Sequence, residues 1–107
     1  MSDNPLLDTV LEMTSASVDR VEFSDEVLLL VRLAALVAVD APPASYLVNL
    51  GAGVGTTLTL DDARSVLIAV APIVGAPRVV SASGKIAEAL GFALALVIGT
   101  TVGVVVA

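Results

Sequence analysis

The sequence contains no cysteine and no histidine, and these two absences exclude several kinds of chemistry. Without cysteine there is no disulfide, no thiolate nucleophile and no thiolate metal site. Without histidine the chain lacks the side chain that ordinarily titrates near neutral pH, which is also the commonest metal ligand. We therefore expect no metal site and no resident cofactor.

Charge is also scarce. Only 15% of the 107 residues are charged and 57% are hydrophobic, while acidic residues outnumber basic ones by 11 to 5. The net charge of −6 leaves no basic face to neutralise nucleic-acid phosphates and gives no attraction to anionic lipid headgroups. A domain this small has a large surface for its volume, and so few charged residues leave much of that surface apolar. Another subunit, a ligand or a membrane should therefore cover part of the apolar surface.

The chain reads as one domain over residues 1–107, because no internal repeat and no linker divides it. The N-terminal sequence MSDNPLLDTVLEMTS carries acidic residues and lacks the basic start and apolar run of a signal peptide. We expect a cytoplasmic protein.

Apolar residues recur at helical spacing, so the sequence predicts an all-α domain of about five helices. The first helix lies within residues 1–20. Ser24, followed by two acidic residues, predicts the N-cap of a second helix, VLLLVRLAALVAV. Pro42 and Pro43 are expected to end that helix and to begin the third.

Two further helices follow a glycine-rich stretch. The sequence TLDD at 59–62 predicts a capped helix start, and this fourth helix should end near Gly75, with a kink or an early stop at Pro72. The segment APRVVSASGKIAEALGFALAL predicts a fifth helix, in which Lys85 and Glu88 are spaced as an ordinary surface pair. The apolar tail, residues 98–107, is ambiguous.

Arg32 is the only charge in the second helix, which is apolar on all sides and too short to span a bilayer. We therefore expect protein to surround this helix. An arginine in such a helix must be paired or reach water. Two interpretations remain open: an ion pair between helices or subunits, with Asp40 two turns away, or a carboxylate clamp in a ligand pocket.

The order of these elements resembles the carboxymuconolactone decarboxylase family, which includes the alkylhydroperoxidase-D-like proteins. The strongest part is LTLDDARSVLIAVAPIVGAPRVVSASGKIAEAL at 58–90, with a threonine-capped acidic start, a glycine–proline turn and an alanine-rich final helix. Residues 24–40 match more loosely. The resemblance implies an alkylhydroperoxidase-D-like helical fold and assembly of identical chains, as trimers or hexamers.

The same resemblance implies decarboxylase or peroxiredoxin-like activity, but the family's catalytic residues are not retained. Matched without gaps, its two cysteine positions fall at Pro42 and Ser45, its histidine position at Asn49 and its glutamate position at Leu30. Disulfide exchange needs a thiolate, so this chain cannot reduce peroxides by the family's mechanism. Whether the protein is an enzyme stays open.

Three polar residues remain near the break between the second and third helices. At helical spacing, Ser45, Tyr46 and Asn49 can converge on one face and orient a small apolar ligand with a polar end. The alternative is structural: Ser45 caps the helix, Tyr46 packs with its hydroxyl at the surface, and Asn49 bonds to the backbone. With Arg32, these are the candidate ligand-binding residues. We expect a homo-oligomeric protein that binds a small ligand or is structural.

The alternative function is membrane association. Residues 89–107 are 19 uncharged residues, within the range of roughly 17–25 for a transmembrane helix. Gly99 and Gly103 form a small-x-x-x-small pair that suits close helix packing in lipid. The protein would then be a small membrane-associated one, anchored by residues 89–107.

Overall fold

The computed structural model describes residues 3–51 and 58–90. These residues form five helices and no strand, which confirms the all-α class. The helices are α1 Pro5–Arg20, α2 Asp25–Ala38, α3 Pro43–Gly51, α4 Leu60–Val74 and α5 Ala76–Leu90. The predicted tail at 98–107 lies outside the described residues.

The predicted helix starts are confirmed by their hydrogen bonds. Ser24 Oγ accepts a bond of 3.2 Å from the backbone N–H of Val27. At the start of α4, Thr59 Oγ1 accepts from the N–H of Asp62 at 3.0 Å, and the Asp62 carboxylate accepts from the N–H of Thr59 at 3.2 Å. This reciprocal pair is a capping box, which satisfies two donors that the helix itself leaves free.

The end of α2 is set by a turn at Asp40 and not, as expected, by Pro42 and Pro43. Asp40 has a φ of 53°, in the left-handed region. Its N–H donates to the carbonyl of Val37, and the N–H of Ala41 donates to that of Leu36. These two bonds form a Schellman motif, in which glycine ordinarily takes the left-handed position. The helix therefore ends before the two prolines are reached.

Pro72 neither stops α4 nor defines its end. The helix continues to Val74, and Gly75, with a φ of 89°, follows as the C-cap and donates its N–H to the Ala71 carbonyl. The predicted end near Gly75 is confirmed, and the early stop at Pro72 is wrong. Twelve residues of α4, 60–71, precede Pro72, so the helix is well established before the one helical hydrogen bond that proline cannot donate.

The hydrophobic core forms around one face of α2, which packs against α3, α4 and α5. Its buried side chains are Leu29, Leu33, Val37, Ala41, Tyr46, Leu50, Leu58, Ala63, Val66, Leu67, Ala82 and Ile86. The opposite face of α2 is not covered by the described residues, since Val27 is 41% exposed and Val31 is 47% exposed. Residues 3–51 and 58–90 alone therefore do not surround α2 as expected.

Helix α1 lies at the edge of the fold. Thr14 is its one buried residue. Its exposed large apolar side chains are Leu6, Leu7, Val10, Leu11 and Met13. None of the described helices has both the length and the apolarity that crossing a bilayer requires. Of the predicted membrane run at 89–107, residues 91–107 lie outside the described part of the chain.

Candidate functional site

Arg32 extends from the middle of α2 and connects three helices. Its Nη1 donates to the main-chain carbonyl of Asn49 at 2.9 Å, and its Nη2 donates to that of Thr14 at 3.1 Å. Asn49 is in the last turn of α3, where carbonyls lack helical donors and a positive charge is favourable. The guanidinium therefore joins α2 to the end of α3 and to the one buried position of α1.

The expected ion pair of Arg32 is not present in the described residues. Asp40, the suggested partner, is bound instead by Lys85, whose Nζ lies 2.9 Å from Asp40 Oδ1. The reason is the left-handed turn at Asp40, because α2 has already ended there and no longer carries the side chain along the face of Arg32. Backbone carbonyls take the place of the predicted carboxylate.

Two open clefts meet at Arg32 and Asn49, which line both of them. The larger, about 280 Å³, is completed by α1 residues: Val10, Met13, Thr14 and Ser17. The smaller, about 180 Å³, is completed by α2 residues: Ala35, Leu36 and Val39. We call these clefts together the Arg32 groove. Its walls are mainly apolar, and its two shared residues, Arg32 and Asn49, are both polar.

Asn49 lies in this groove but bonds within its own helix. Its Nδ2 donates to the main-chain carbonyl of Ser45 at 2.9 Å, which confirms the prediction that Asn49 bonds to the backbone. Ser45 is in the first turn of α3, where its N–H donates to the Pro42 carbonyl. Ser45 does not line the groove. The structure therefore brings Arg32 and Asn49 together and leaves Ser45 apart.

Tyr46 is in the core and not in the groove. Its side chain is fully buried, and its hydroxyl has no hydrogen-bond partner among the described residues. The prediction of a hydroxyl at the surface is wrong, because the ring packs among the buried side chains of the core. Burial, helped by the negative charge of Asp40, raises the pKa of Tyr46 to about 12. The phenol therefore stays protonated at neutral pH and is no general base.

A second polar cluster, which the sequence reasoning missed, joins the end of α2 to α5. Ser81 Oγ and Lys85 Nζ each donate to Asp40 Oδ1 at 2.9 Å, and Arg78 Nη1 donates to the carbonyl of Ala38 at 2.8 Å. The hydrogen bond from Lys85, followed by that from Ser81, holds the pKa of Asp40 below its ordinary value.

The predicted surface pair of Lys85 and Glu88 is wrong, because Lys85 bonds to Asp40 instead. The spacing of Arg78, Ser81 and Lys85 on one face of α5 was a usable signal in the sequence. Their partners, however, are about forty positions away in the chain. The exposed bonds of this cluster fix two helices to each other.

No group of three acidic, histidine or cysteine residues that could hold a metal ion occurs within 3–51 and 58–90. Comparisons with models of known protein families, with curated proteins and with solved structures found no match for this chain.

Proposed function

We propose that this chain is a homo-oligomeric small-ligand-binding protein of the carboxymuconolactone decarboxylase-like kind, working in the cytoplasm without the family's redox or decarboxylase residues. The observation that supports binding is the Arg32 groove. Mainly apolar walls with a few convergent polar groups are typical of sites that hold and orient a small molecule. Here the guanidinium of Arg32 and the amide of Asn49 are those groups.

Binding is favoured over catalysis because the described residues that line the groove include no suitable acid or base. Its polar side chains are those of Thr14, Ser17, Arg32 and Asn49. Hydroxyl and amide groups are not ionised at neutral pH, and none of these four side chains is a carboxyl, an imidazole or an amine. General acid–base catalysis needs a group whose pKa lies near the working pH. The groove can therefore orient a ligand, but it offers no proton transfer.

Self-association is supported by the uncovered face of α2. Val27 and Val31 are one helical turn apart, and each is more than 40% exposed. A second copy that covers this face would remove apolar surface from water, which stabilises an assembly in proportion to the area buried. The trimer or hexamer implied by the family resemblance is one such arrangement.

The test of binding uses 1-hexanol, a neutral apolar probe, with the full-length chain. Methyl resonances of Val10, Met13, Leu36 and Val39 report on the groove. Those of Leu67, Ile68 and Val79, in a separate cleft beside α4 and α5, serve as the control. We expect a saturable shift confined to the groove methyls. Shifts that do not saturate, and that are equal in size for the groove methyls and the control methyls, would overturn the proposal.

The alternative, membrane anchoring by residues 89–107, depends almost wholly on residues outside the described part of the chain. No contact among the described residues favours it. Its test is sedimentation of the full-length chain with membranes after a carbonate wash, which a spanning segment would survive.

A further inference from the structure

We propose that the Arg32 groove selects small organic acids, with one carboxylate bound to Arg32 and an apolar body lying along a groove wall. This inference rests on the proposed binding function and specifies the charge of the ligand. It is carried by three properties of the groove: the free donors of Arg32, its missing counter-charge, and the position of its apolar walls.

Arg32 keeps donors available for a ligand. A guanidinium has five N–H donors in a planar fork, and two of them are used on the carbonyls of Asn49 and Thr14. Three therefore remain. The two existing bonds hold the side chain in place, so a ligand that binds it does not have to order a flexible arginine first. Guanidinium N–H groups and carboxylate oxygens form short, charge-assisted hydrogen bonds.

The charge of Arg32 also lacks an acidic partner among the described residues. Its hydrogen bonds go to neutral carbonyls, and no aspartate or glutamate lines either cleft of the groove. The neighbouring cleft on α1 is different, because Asp8, Glu12 and Asp19 line it. Positive charge without a counter-charge, in a partly buried place, attracts an anion and repels a cation.

The apolar walls lie on both sides of that charge. Val10 and Met13 line the cleft on the α1 side, and Leu36 and Val39 line the cleft on the α2 side. A ligand whose carboxylate reaches Arg32 can therefore place an aliphatic or aromatic body against either wall, where burial of apolar surface favours binding. An inorganic anion would use the charge alone and leave both walls in water.

The first experiment compares hexanoate, 1-hexanol and hexylamine, which share an apolar body and differ in the charge of the head. Each is titrated into the full-length chain at neutral pH, with the groove methyl resonances as the readout. We expect hexanoate to bind at least about five-fold more tightly than hexanol, and hexylamine more weakly than both, as one close charge interaction implies.

The outcomes separate the two proposals. If hexanol shifts the groove methyls and hexanoate binds no more tightly, the preference for acids is wrong while the binding function stands. If neither shifts them, the binding function itself fails.

The second experiment adds a negative charge to one of two serines on α1. Both serines are exposed, but only Ser17 lines the groove, while Ser15 lines the acidic cleft. Ser17→Glu should raise the Kd of hexanoate at least about five-fold and leave that of hexanol within about two-fold. Ser15→Glu should leave both within about two-fold. Equal weakening of hexanoate by the two variants would overturn the inference, with circular dichroism confirming that both remain helical.

Discussion

Arg32 donates to the carbonyl of Asn49 at 2.9 Å and to that of Thr14 at 3.1 Å, so one side chain of α2 holds both α1 and the end of α3. Helix α1 buries only Thr14, the residue whose carbonyl Arg32 binds. The attachment of α1 therefore depends on this arginine more than on hydrophobic packing. All three of these residues line the groove that we propose as the ligand site.

Replacing Arg32 should loosen α1. Arg32→Met removes two hydrogen bonds from a charged donor, and we expect a loss of about 2–3 kcal/mol in the free energy of unfolding, measured in urea. Hydrogen exchange of the α1 amides should accelerate more than that of α2 and α4. Arg20→Met, at the exposed end of α1, is the control, with an expected loss of at most about 1 kcal/mol from the helix dipole. Equal effects of the two variants would contradict the role given to Arg32.

Asp40 combines a left-handed backbone with a side chain that binds α5, and two substitutions separate these properties. Both Asp40→Gly and Asp40→Ala remove the carboxylate that accepts hydrogen bonds from Ser81 and Lys85. Only glycine adopts a φ of 53° without a steric penalty from Cβ. We expect Asp40→Ala to be less stable than Asp40→Gly by about 1 kcal/mol in urea unfolding. Identical stability would mean that the backbone is not strained at this position.

The contact between Asp40 and Lys85 should make stability depend on acid pH. The pKa of Asp40 in the folded chain is held below its ordinary value of 3.8, chiefly by the hydrogen bond from Lys85. The stabilisation is therefore fully present above that ordinary value and is lost as the pH falls through the folded pKa. Lys85→Met should flatten the fall in the unfolding midpoint below about pH 4 relative to the unchanged chain. An unaltered acid profile would show that the pair contributes nothing.

Tyr46 should make stability depend on alkaline pH. Its folded pKa is raised to about 12 from an ordinary value of 10.0, so the folded state holds the phenol proton more strongly than the unfolded state. Stability from this group is complete below the ordinary value and is lost as the pH rises through the folded pKa. Because this is the single tyrosine of the chain, tyrosinate absorbance reports on it alone. A midpoint near the ordinary value in the folded protein would contradict the burial.

Tyr46→Phe gives a separate test of the unpartnered hydroxyl. Removing a buried polar group that makes no hydrogen bond should leave stability at neutral pH unchanged or raise it by about 1 kcal/mol. The variant should also lose the alkaline decrease in stability. A marked destabilisation in urea would show that the hydroxyl has a partner after all.

Assembly should depend on the exposed face of α2. Light scattering of the full-length chain at micromolar concentration should give a mass of at least twice 10.7 kDa. Val31→Glu places a charge on that face and should lower the mass towards that of one chain, because burying an unpaired charge is unfavourable. Val80→Glu, on α5 and similarly exposed, is the matched control and should leave the mass unchanged. A monomeric unmodified chain would refute the assembly proposal.

Local sequence was sufficient for the all-α class, for the helix starts and for the kinds of chemistry that are excluded. Ser24 bonds to a backbone group three residues on, and Thr59 and Asp62 bond to each other, so these caps depend only on neighbours in the chain. The absence of cysteine and histidine needs no structure to interpret. For the same local reason, Asn49 could be expected to bond within its own helix.

Only the tertiary structure decided what the other candidate residues contact. The carbonyl partners of Arg32 are 17 and 18 positions away in the chain, and the bonds between Asp40 and Lys85 join residues 45 positions apart. Helical spacing shows which residues share a face, but not which face packs against another helix. It therefore placed Tyr46 beside Asn49 as a binding residue, whereas packing buries Tyr46 in the core and leaves Asn49 in the groove. Helix packing, which depends on side-chain shape across the whole core, made that choice.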